Sequence, residues 1–219
     1  MQRTFGVFKL LGISWIYAQF QNAVGAGKLN RWLAKNLWRL ETGARVLDIG
    51  CGPGTVFSSL PNNIDYVGFD ISNEYIESAN RKFGARATFV AGVSADFLSV
   101  PDPRMQNRSL AICNGVMHHI SDDECIELLS LAKASLADGG RFVGIEPVHL
   151  LHESAIAKWL MNQDRGQFVR TETQWKRLVA KVFHEFDTYV VTSLLRIPYN
   201  HIIIECHHES ATKSPDYSA

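Results

Sequence analysis

Short apolar segments alternate along the chain with longer segments in which apolar residues recur every three or four positions. The short segments are bounded by Gly, Pro, Asn and Asp, which is typical of strands buried on both faces of a sheet. The longer segments are typical of amphipathic helices that cover such a sheet. The pattern predicts an α/β fold with a seven-stranded, mostly parallel sheet that ends in a hairpin. The predicted strands are Arg45–Ile49, Asp65–Phe69, Ala87–Ala91, Leu110–Cys113, Arg141–Glu146, Thr188–Leu194 and Tyr199–Cys206.

The order of these elements predicts one domain over residues 1–219. Residues 1–40 form a helical N-terminal cap of two helices hinged near residues 25–27, and residues 41–146 form the core. Residues 147–185 form a second helical cap between the fifth and sixth strands, and residues 186–209 form the terminal hairpin. Helices are predicted at Lys28–Leu40, Thr55–Leu60, Asn73–Phe83, Asp122–Leu136 and Ser154–Met161, and a further one is predicted to begin at the capping residue Thr171.

The first strand runs into a turn with three closely spaced glycines, Gly50, Gly52 and Gly54. Glycine tolerates positive φ and lets a ligand approach the backbone closely. A helix that begins directly after the turn would add unpaired N–H groups and a favourable dipole. These features predict a nucleotide-binding turn.

The spacing of the turn differs from that of two common nucleotide-binding motifs. A dinucleotide fingerprint needs a third glycine where Thr55 stands, and a P-loop needs a Lys-Ser/Thr pair that is absent. Asp48 lies two residues before the first glycine, where its charge would repel a pyrophosphate and attract a cationic group such as a sulfonium.

The string Val-Leu-Asp-Ile-Gly-Cys-Gly-Pro-Gly, residues 46–54, closely resembles motif I of the class I S-adenosylmethionine-dependent methyltransferases. The resemblance extends from about Arg45 to Glu146 and weakens outside that range. It implies a Rossmann-like sheet with helices ahead of it and S-adenosylmethionine as the cofactor. The alternatives from the residues alone are a nicotinamide oxidoreductase on a similar sheet and a glycine turn without a ligand.

Asp70 ends the second strand, roughly 20 residues beyond the first glycine, where an acid can accept both ribose hydroxyls. The resemblance also implies this role. Many members of the family place an Asp after the third strand to hold the adenine, whereas this chain has Val93 and Ser94 there, with Asp96 as the alternative. The residues expected to bind the cofactor are Asp48, Gly50, Cys51, Gly52, Gly54, Asp70, Ile71, Val93, Ser94 and Asn114.

Two histidines, His118 and His119, follow the fourth strand in a segment that resembles motif IV of small-molecule methyltransferases. Ligands of open α/β sheets bind beyond the carboxyl ends of the strands, and imidazole titrates near neutrality. We expect His119 to face the site as the general base for a hydroxyl acceptor and His118 to have a structural role. Glu146, at the end of the fifth strand, is a second candidate, or else an ordinary strand-end carboxylate.

Candidate contacts to the acceptor come from both caps and from the hairpin. Tyr17 and Gln21 lie in the N-terminal helices, Arg165 and Arg170 in the second cap, and Tyr199 in the hairpin. The two arginines could clamp a carboxylate or phosphate, or they could form surface salt bridges. The polar segment from Arg196 to His201 interrupts an apolar strand, and its pattern predicts no role.

The composition of the 219-residue chain narrows its class further. Its 46% hydrophobic and 20% charged residues and its net charge of +0 are typical of a folded protein without an electrostatic footprint for nucleic acid. The 4 cysteines are scattered, so we expect no metal site and a reducing cytoplasm. The apolar segment from Phe5 to Val24 is interrupted by Lys9 and by amides. It therefore favours an amphipathic helix over the core, with attachment to a membrane surface as the alternative.

Together these features predict an S-adenosylmethionine-dependent methyltransferase that modifies a small or lipid-like molecule, with oxygen as the expected acceptor atom. The alternatives are a relative that binds the cofactor without transferring a methyl group, and a methyltransferase for a protein or RNA target. No pattern in the sequence predicts an oligomeric state.

Overall fold

The structure is a computed structural model and describes residues 26–151, 153, 168–192 and 199–208. Within these residues the helices are α1 (Ala26–Asn36), α2 (Asn73–Phe83), α3 (Ser94–Ser99), α4 (Asp122–Ser135) and α5 (Glu172–Val179). The strands are β1 (Arg45–Ile49), β2 (Asp65–Asp70), β3 (Thr88–Ala91), β4 (Arg108–Asn114), β5 (Leu136–His149), β6 (Arg170–Thr171), β7 (Phe186–Val191) and β8 (His201–His207). Short 3₁₀ turns lie at Phe57–Ser59, Pro103–Met105 and Met117–His119.

The strands pair in the order β3-β2-β1-β4-β5-β8-β7, and the two-residue β6 pairs with β5 beside this path. Strands β1 to β5 are parallel, whereas β8 is antiparallel to both β5 and β7. The predicted seven-stranded, mostly parallel sheet with a terminal hairpin is therefore confirmed. The strand order reverses between β1 and β4, and ligands of open α/β sheets bind at such a switch point.

The two faces of the sheet bury separate sets of apolar side chains because neighbours in a strand point to opposite faces. In β1, Leu47 and Ile49 join the cluster beneath α4 and α5, whereas Val46 joins the cluster beneath α1 and α2. Both faces of β1 are buried, which explains its continuous apolar run. The carboxyl ends of β1 and β4 are thereby fixed next to each other.

Helix α1 is held on the sheet by the residues that follow it. The Arg141 guanidinium of β5 donates to the carbonyl oxygen of Leu37 at 3.0 Å and to that of Trp38, and it pairs with Glu205 of β8 at 2.8 Å. The helix ends at Asn36, four residues earlier than predicted, so Trp38 is buried instead of Trp32. Trp32, which lies within α1, is 51% exposed.

Helix starts were predicted well because their signals are local. Ser72 caps α2, Ser121 forms a capping box with Glu124 at the start of α4, and Thr171 forms one with Gln174 at the start of α5. These three features confirm the predicted starts.

Two elements differ from the prediction. The helix predicted at Thr55–Leu60 is a single 3₁₀ turn at Phe57–Ser59, because the chain is still turning at Gly54 and only six residues remain before Pro61. Strand β5 continues through Pro147 to His149. Pro147 lies between Ile145, the last residue paired with β4, and Val148, the first paired with β6. In the antiparallel ladder with β8 it lies opposite His201, but the neighbouring Val148 donates to Asn200, so Pro147 occupies a position without a hydrogen bond to β8.

The predicted helices before residue 26 and at Ser154–Met161 lie outside the described residues. Of the helices that the structure does describe, none combines the length and apolar character that a membrane span requires.

Candidate active site

The glycine turn, residues 50–54, leaves β1 at the switch point and is anchored to β2. The amides of Gly50 and Cys51 donate to the carbonyl oxygen of Phe69 at 2.8 and 3.0 Å. Gly50, Gly52 and Gly54 have φ values of 73°, 53° and 78°, a region that other residues rarely adopt. A Cβ atom at Gly50 would lie 2.4 Å from the Val116 side chain, so the turn after β4 packs directly against the glycine turn.

Asp70 ends β2 and fastens the glycine turn through its side chain. One carboxylate oxygen accepts from the Gly52 amide at 2.9 Å, and the other accepts from the Ser72 amide at 2.9 Å. The group is half-buried, and each oxygen retains a second lone pair. The carboxylate is therefore fixed in one orientation beside the turn, with capacity to accept further hydrogen bonds.

Asn114, the last residue of β4, has an amide group that the protein leaves unsatisfied. Within the described part of the chain, neither its Oδ1 nor its Nδ2 has a hydrogen-bond partner, although both atoms are buried. Buried polar groups in folded proteins are nearly always paired, so this amide indicates the place of a polar ligand group. The residues at the switch point thus fit a ligand that carries donors and acceptors.

Asp48 lies beneath the glycine turn and is only 2% exposed. It hydrogen-bonds to the hydroxyl of Tyr66, which is itself buried on the neighbouring strand β2. Burial raises the pKa of Asp48 to about 7; the bond from Tyr66 opposes this shift and the charge of Asp70 adds to it. The sequence analysis missed Tyr66, although a tyrosine within an otherwise apolar buried strand is a sign that its hydroxyl has a partner.

Replacing Asp48 with asparagine should raise stability at neutral pH relative to the wild type. The pKa of Asp48 is raised in the folded state, so the free energy of unfolding of the wild type falls as the pH rises from about 4 to about 7. The loss amounts to up to ~4 kcal/mol, and Asp48→Asn does not show it because asparagine does not ionise. The difference between their melting temperatures should therefore grow across that window and then level off. Scanning calorimetry from pH 4 to pH 8 measures it.

Tyr66→Phe supplies the matched variant for this test. It removes the bond that lowers the pKa of Asp48, so the loss of stability should extend to higher pH. A melting-temperature difference between Asp48→Asn and wild type that stays constant with pH would contradict the prediction.

The histidine turn, residues 116–120, connects β4 to α4. Its backbone is held by Glu146 of β5, which is 0% exposed. The Glu146 carboxylate accepts from the amides of Val116 at 3.0 Å, Met117 at 2.9 Å and His118 at 3.2 Å, and it lies 2.7 Å from His118 Nδ1. Glu146 is therefore placed to hold the backbone of the histidine turn. This position suits a contact with the acceptor less well, although the sequence suggested one.

The two histidines of this turn differ in exposure. His118 is 4% exposed and lies against Glu146, whereas His119 is exposed and its ring centroid lies 3.9 Å from that of His118. The pair sits beside the glycine turn, because Val116 at the start of the histidine turn contacts Gly50. The structure thus brings His119 to the same edge of the sheet as Asp70 and Asn114.

Arg170 does not present its guanidinium to a ligand. It is 4% exposed, and all five of its N–H groups are bonded within the protein. The acceptors are Asp122 and the carbonyl oxygens of Met117, Ile120 and Phe168. The anion clamp suggested for Arg170 would therefore have no free donor.

The remaining candidates are placed as follows. Ile71 is 74% exposed beside Asp70, and Val93 and Ser94 are half-buried at the start of α3. Asp96 is exposed, and the Tyr199 ring lies 5.1 Å from that of His201 at the start of β8. Tyr17, Gln21 and Arg165 lie outside the described residues.

The model of the methyltransferase domain family matches residues 19–182, which is more than half of the chain. The chain therefore belongs to the methyltransferase domain family, and it is an enzyme of the class I methyltransferase type that its sequence resembles. A comparison with curated protein sequences gives no match.

Solved structures support the same fold. Phosphoethanolamine N-methyltransferase 2 of Haemonchus contortus, in complex with phosphomonomethylethanolamine and S-adenosylhomocysteine, superposes with a TM-score of 0.65 at 15% identity over 84% of this chain and 53% of that one. Human N-acetylserotonin methyltransferase, in complex with S-adenosylmethionine, gives 0.63 at 20% identity over 85% and 52%. The [4+2]-cyclase SpnF gives 0.66 at 17% identity over 84% and 82%. This chain spans about half the length of the two methyltransferases.

Proposed function

We propose that the protein transfers a methyl group from S-adenosylmethionine to an oxygen atom of a small or lipid-like molecule. The observation that carries the proposal is the arrangement of the switch point. There the Asp70 carboxylate anchors the glycine turn, the glycine turn packs against Val116 of the histidine turn, and the unsatisfied Asn114 amide lies two residues before Val116. Two of the similar structures contain S-adenosylmethionine or its product, which supports the choice of cofactor.

The residues of the switch point divide between the two ends of the cofactor. Asp70 would accept the ribose hydroxyls, with Ile71, Val93 and Ser94 beside the adenine. The glycine turn and Asn114 would hold the methionine end, and Asp48 would act from beneath the turn, since a nearby cation favours its ionised form. When bound, the cofactor supplies an electrophilic methyl group, so the protein mainly positions the acceptor and excludes water.

An exposed imidazole at this edge supports oxygen as the acceptor atom. A neutral hydroxyl is a poor nucleophile and needs a base within hydrogen-bond reach. His119 is exposed at the crevice, whereas the neighbouring His118 is buried against Glu146. His119 would therefore take the proton from the acceptor hydroxyl as the oxygen–carbon bond forms.

The surroundings of the crevice support an acceptor that is uncharged and partly apolar. Arg170 has no free donor for a carboxylate or phosphate. Leu151 and Phe168, which lie in the second cap beyond the carboxyl end of β5, are 93% and 38% exposed. Exposed apolar side chains beside a ligand crevice are typical of contacts to an apolar ligand.

The proposed function is tested by incubating the protein with S-adenosylmethionine and a panel of acceptors. The panel should pair hydroxylated apolar molecules with their phosphorylated and amine counterparts. We expect S-adenosylhomocysteine to form only with an acceptor present, together with a methyl ether detected by mass spectrometry. Binding of the cofactor without turnover of any acceptor would contradict the proposal.

Replacing His119 with alanine should lower kcat by about 10²-fold or more, because the acceptor hydroxyl loses its base. The affinity for S-adenosylhomocysteine should stay at the wild-type value. Single-turnover kinetics and isothermal calorimetry measure the two quantities. His184→Ala, at an exposed position between α5 and β7, is the matched control, and a wild-type rate in His119→Ala would remove this residue as the base.

A second candidate function is catalysis of another reaction on the same fold. The similarity to the [4+2]-cyclase SpnF favours it, since that protein is described as a cyclase rather than a methyltransferase. The product analysis separates the two, because a rearranged acceptor keeps its mass whereas a methylated one gains a methyl group.

A further inference from the structure

The histidine turn is held between two buried side chains of opposite charge. Glu146 approaches it from β5 and accepts from its N–H groups, as described above. Arg170 approaches it from β6 and donates to its carbonyl oxygens, at 2.9 Å to Met117 and 3.0 Å to Ile120. The backbone of a five-residue loop is thus bonded on both its donor and its acceptor side.

Arg170 also ties this turn to the second cap. Its guanidinium bonds to the Phe168 carbonyl oxygen at 3.1 Å, and the Phe168 amide donates to the carbonyl oxygen of His118 at 3.0 Å. The guanidinium stacks over the Trp175 ring at 4.7 Å, which fixes it from the side of α5. Phe168 and Arg170, which lie within the second cap, are therefore bonded to the histidine turn as one unit.

The ion pair with Asp122 does not explain why a charged side chain is buried here. The Asp122 side chain is 65% exposed, and ion pairs that reach solvent contribute little to stability. Three of the five bonds go instead to backbone carbonyl oxygens, which the fixed fork of the planar guanidinium reaches together with Asp122. Lysine keeps the charge but lacks this fork of donors.

We propose that Arg170 is a positioning residue for the reaction, which holds the histidine turn against the cap so that His119 meets the acceptor. This inference rests on the proposed function, and it replaces the anion clamp suggested by the sequence. Arg170 thus aligns the second cap with His119, the proposed base. A clamp would act on substrate affinity, whereas a positioning residue acts on the rate at saturating substrate.

The test compares Arg170→Lys and Arg170→Met with a control on α4. Asp123→Asn changes an exposed residue in the first turn of that helix. Both Arg170 variants should lower kcat by about tenfold or more, since small misplacements of a reacting group have large effects on rate. The KM for the acceptor and the affinity for S-adenosylhomocysteine should change little, and the control should keep the wild-type kcat.

A spectroscopic readout makes the test independent of turnover. In the complex with S-adenosylhomocysteine, the NMR signals of the His118 and His119 imidazoles should shift or broaden in Arg170→Lys, whereas those of His184 and His207 should not. If the wild type transfers no methyl group, the proposed function fails, and the spectra still decide the role of Arg170. Unchanged histidine signals, or a raised acceptor KM with unchanged kcat, would overturn the inference.

A third variant covers the case in which the Arg170 variants do not fold. Phe168→Pro leaves Arg170 in place and removes the amide N–H that bonds to the His118 carbonyl oxygen, together with the Phe168 ring that the Arg170 guanidinium faces. Phe168→Ala removes the ring but keeps the N–H, and it is the matched control. Phe168→Pro should lower kcat and disturb the same two imidazole signals. A wild-type rate together with wild-type spectra in Phe168→Pro would contradict the link between cap and turn.

Discussion

Replacing Glu146 with alanine should destabilise the protein by about 3–5 kcal/mol, because it removes the buried partner of three backbone amides and of His118. Each amide left unsatisfied at a buried site costs roughly 1–3 kcal/mol, although water that enters the cavity can recover a part. Denaturation by urea, monitored by tryptophan fluorescence, measures the change in the free energy of unfolding.

Two further variants show whether the loss comes from the hydrogen bonds. Glu146→Gln keeps one acceptor oxygen but turns an amide group towards backbone donors, so it should be less destabilising than alanine. Glu127→Ala, at an exposed position on α4, should change the free energy of unfolding by less than about 0.5 kcal/mol. A loss below about 1 kcal/mol in Glu146→Ala would mean that the histidine turn keeps its shape without this carboxylate.

Replacing Asp70 with alanine should weaken the binding of S-adenosylhomocysteine by about 1.5–3 kcal/mol, which is roughly a 10- to 150-fold rise in Kd. Two effects contribute. The ribose would lose a charged acceptor, and the glycine turn would lose the bond that fixes the Gly52 amide. Isothermal calorimetry with S-adenosylhomocysteine measures the affinity without requiring a known acceptor.

Two controls separate the carboxylate from its neighbours. Ser72→Ala removes the cap of α2 and should lower stability while leaving the affinity unchanged. Asp96→Ala tests the alternative acid, which is exposed on α3. An unchanged affinity in Asp70→Ala would remove this residue from the ribose, and a large loss in Asp96→Ala would assign the adenine contact to that residue instead.

The strands and helix starts could be predicted from the sequence because their signals lie within a few residues. Strand β1 has the predicted bounds, and the predicted helix starts at Asn73, Asp122 and the capping residue Thr171 are confirmed. The helix predicted after Gly54 was wrong because the apolar spacing of six residues cannot distinguish one 3₁₀ turn from a short helix.

The roles of individual side chains were harder to predict, since their partners are distant in sequence. Glu146 bonds to amides that precede it by 28 to 30 residues, and Arg170 bonds to a carbonyl oxygen that precedes it by 53. No pattern of neighbouring residues in the sequence indicates hydrogen bonds over such distances along the chain. Both residues therefore looked available to a substrate, whereas the fold uses them to shape the backbone around the histidines.

The position of β8 has a consequence for the nascent chain. This strand comes last among the described strands, yet it lies between β5 and β7. While the ribosome is still adding residues 201–207, the β5 backbone facing them has no partner, and unpaired strand edges are templates for association with other chains. The sheet is therefore completed only after residues 201–207 have been added, and a polypeptide released before His201 would carry an open edge prone to aggregation.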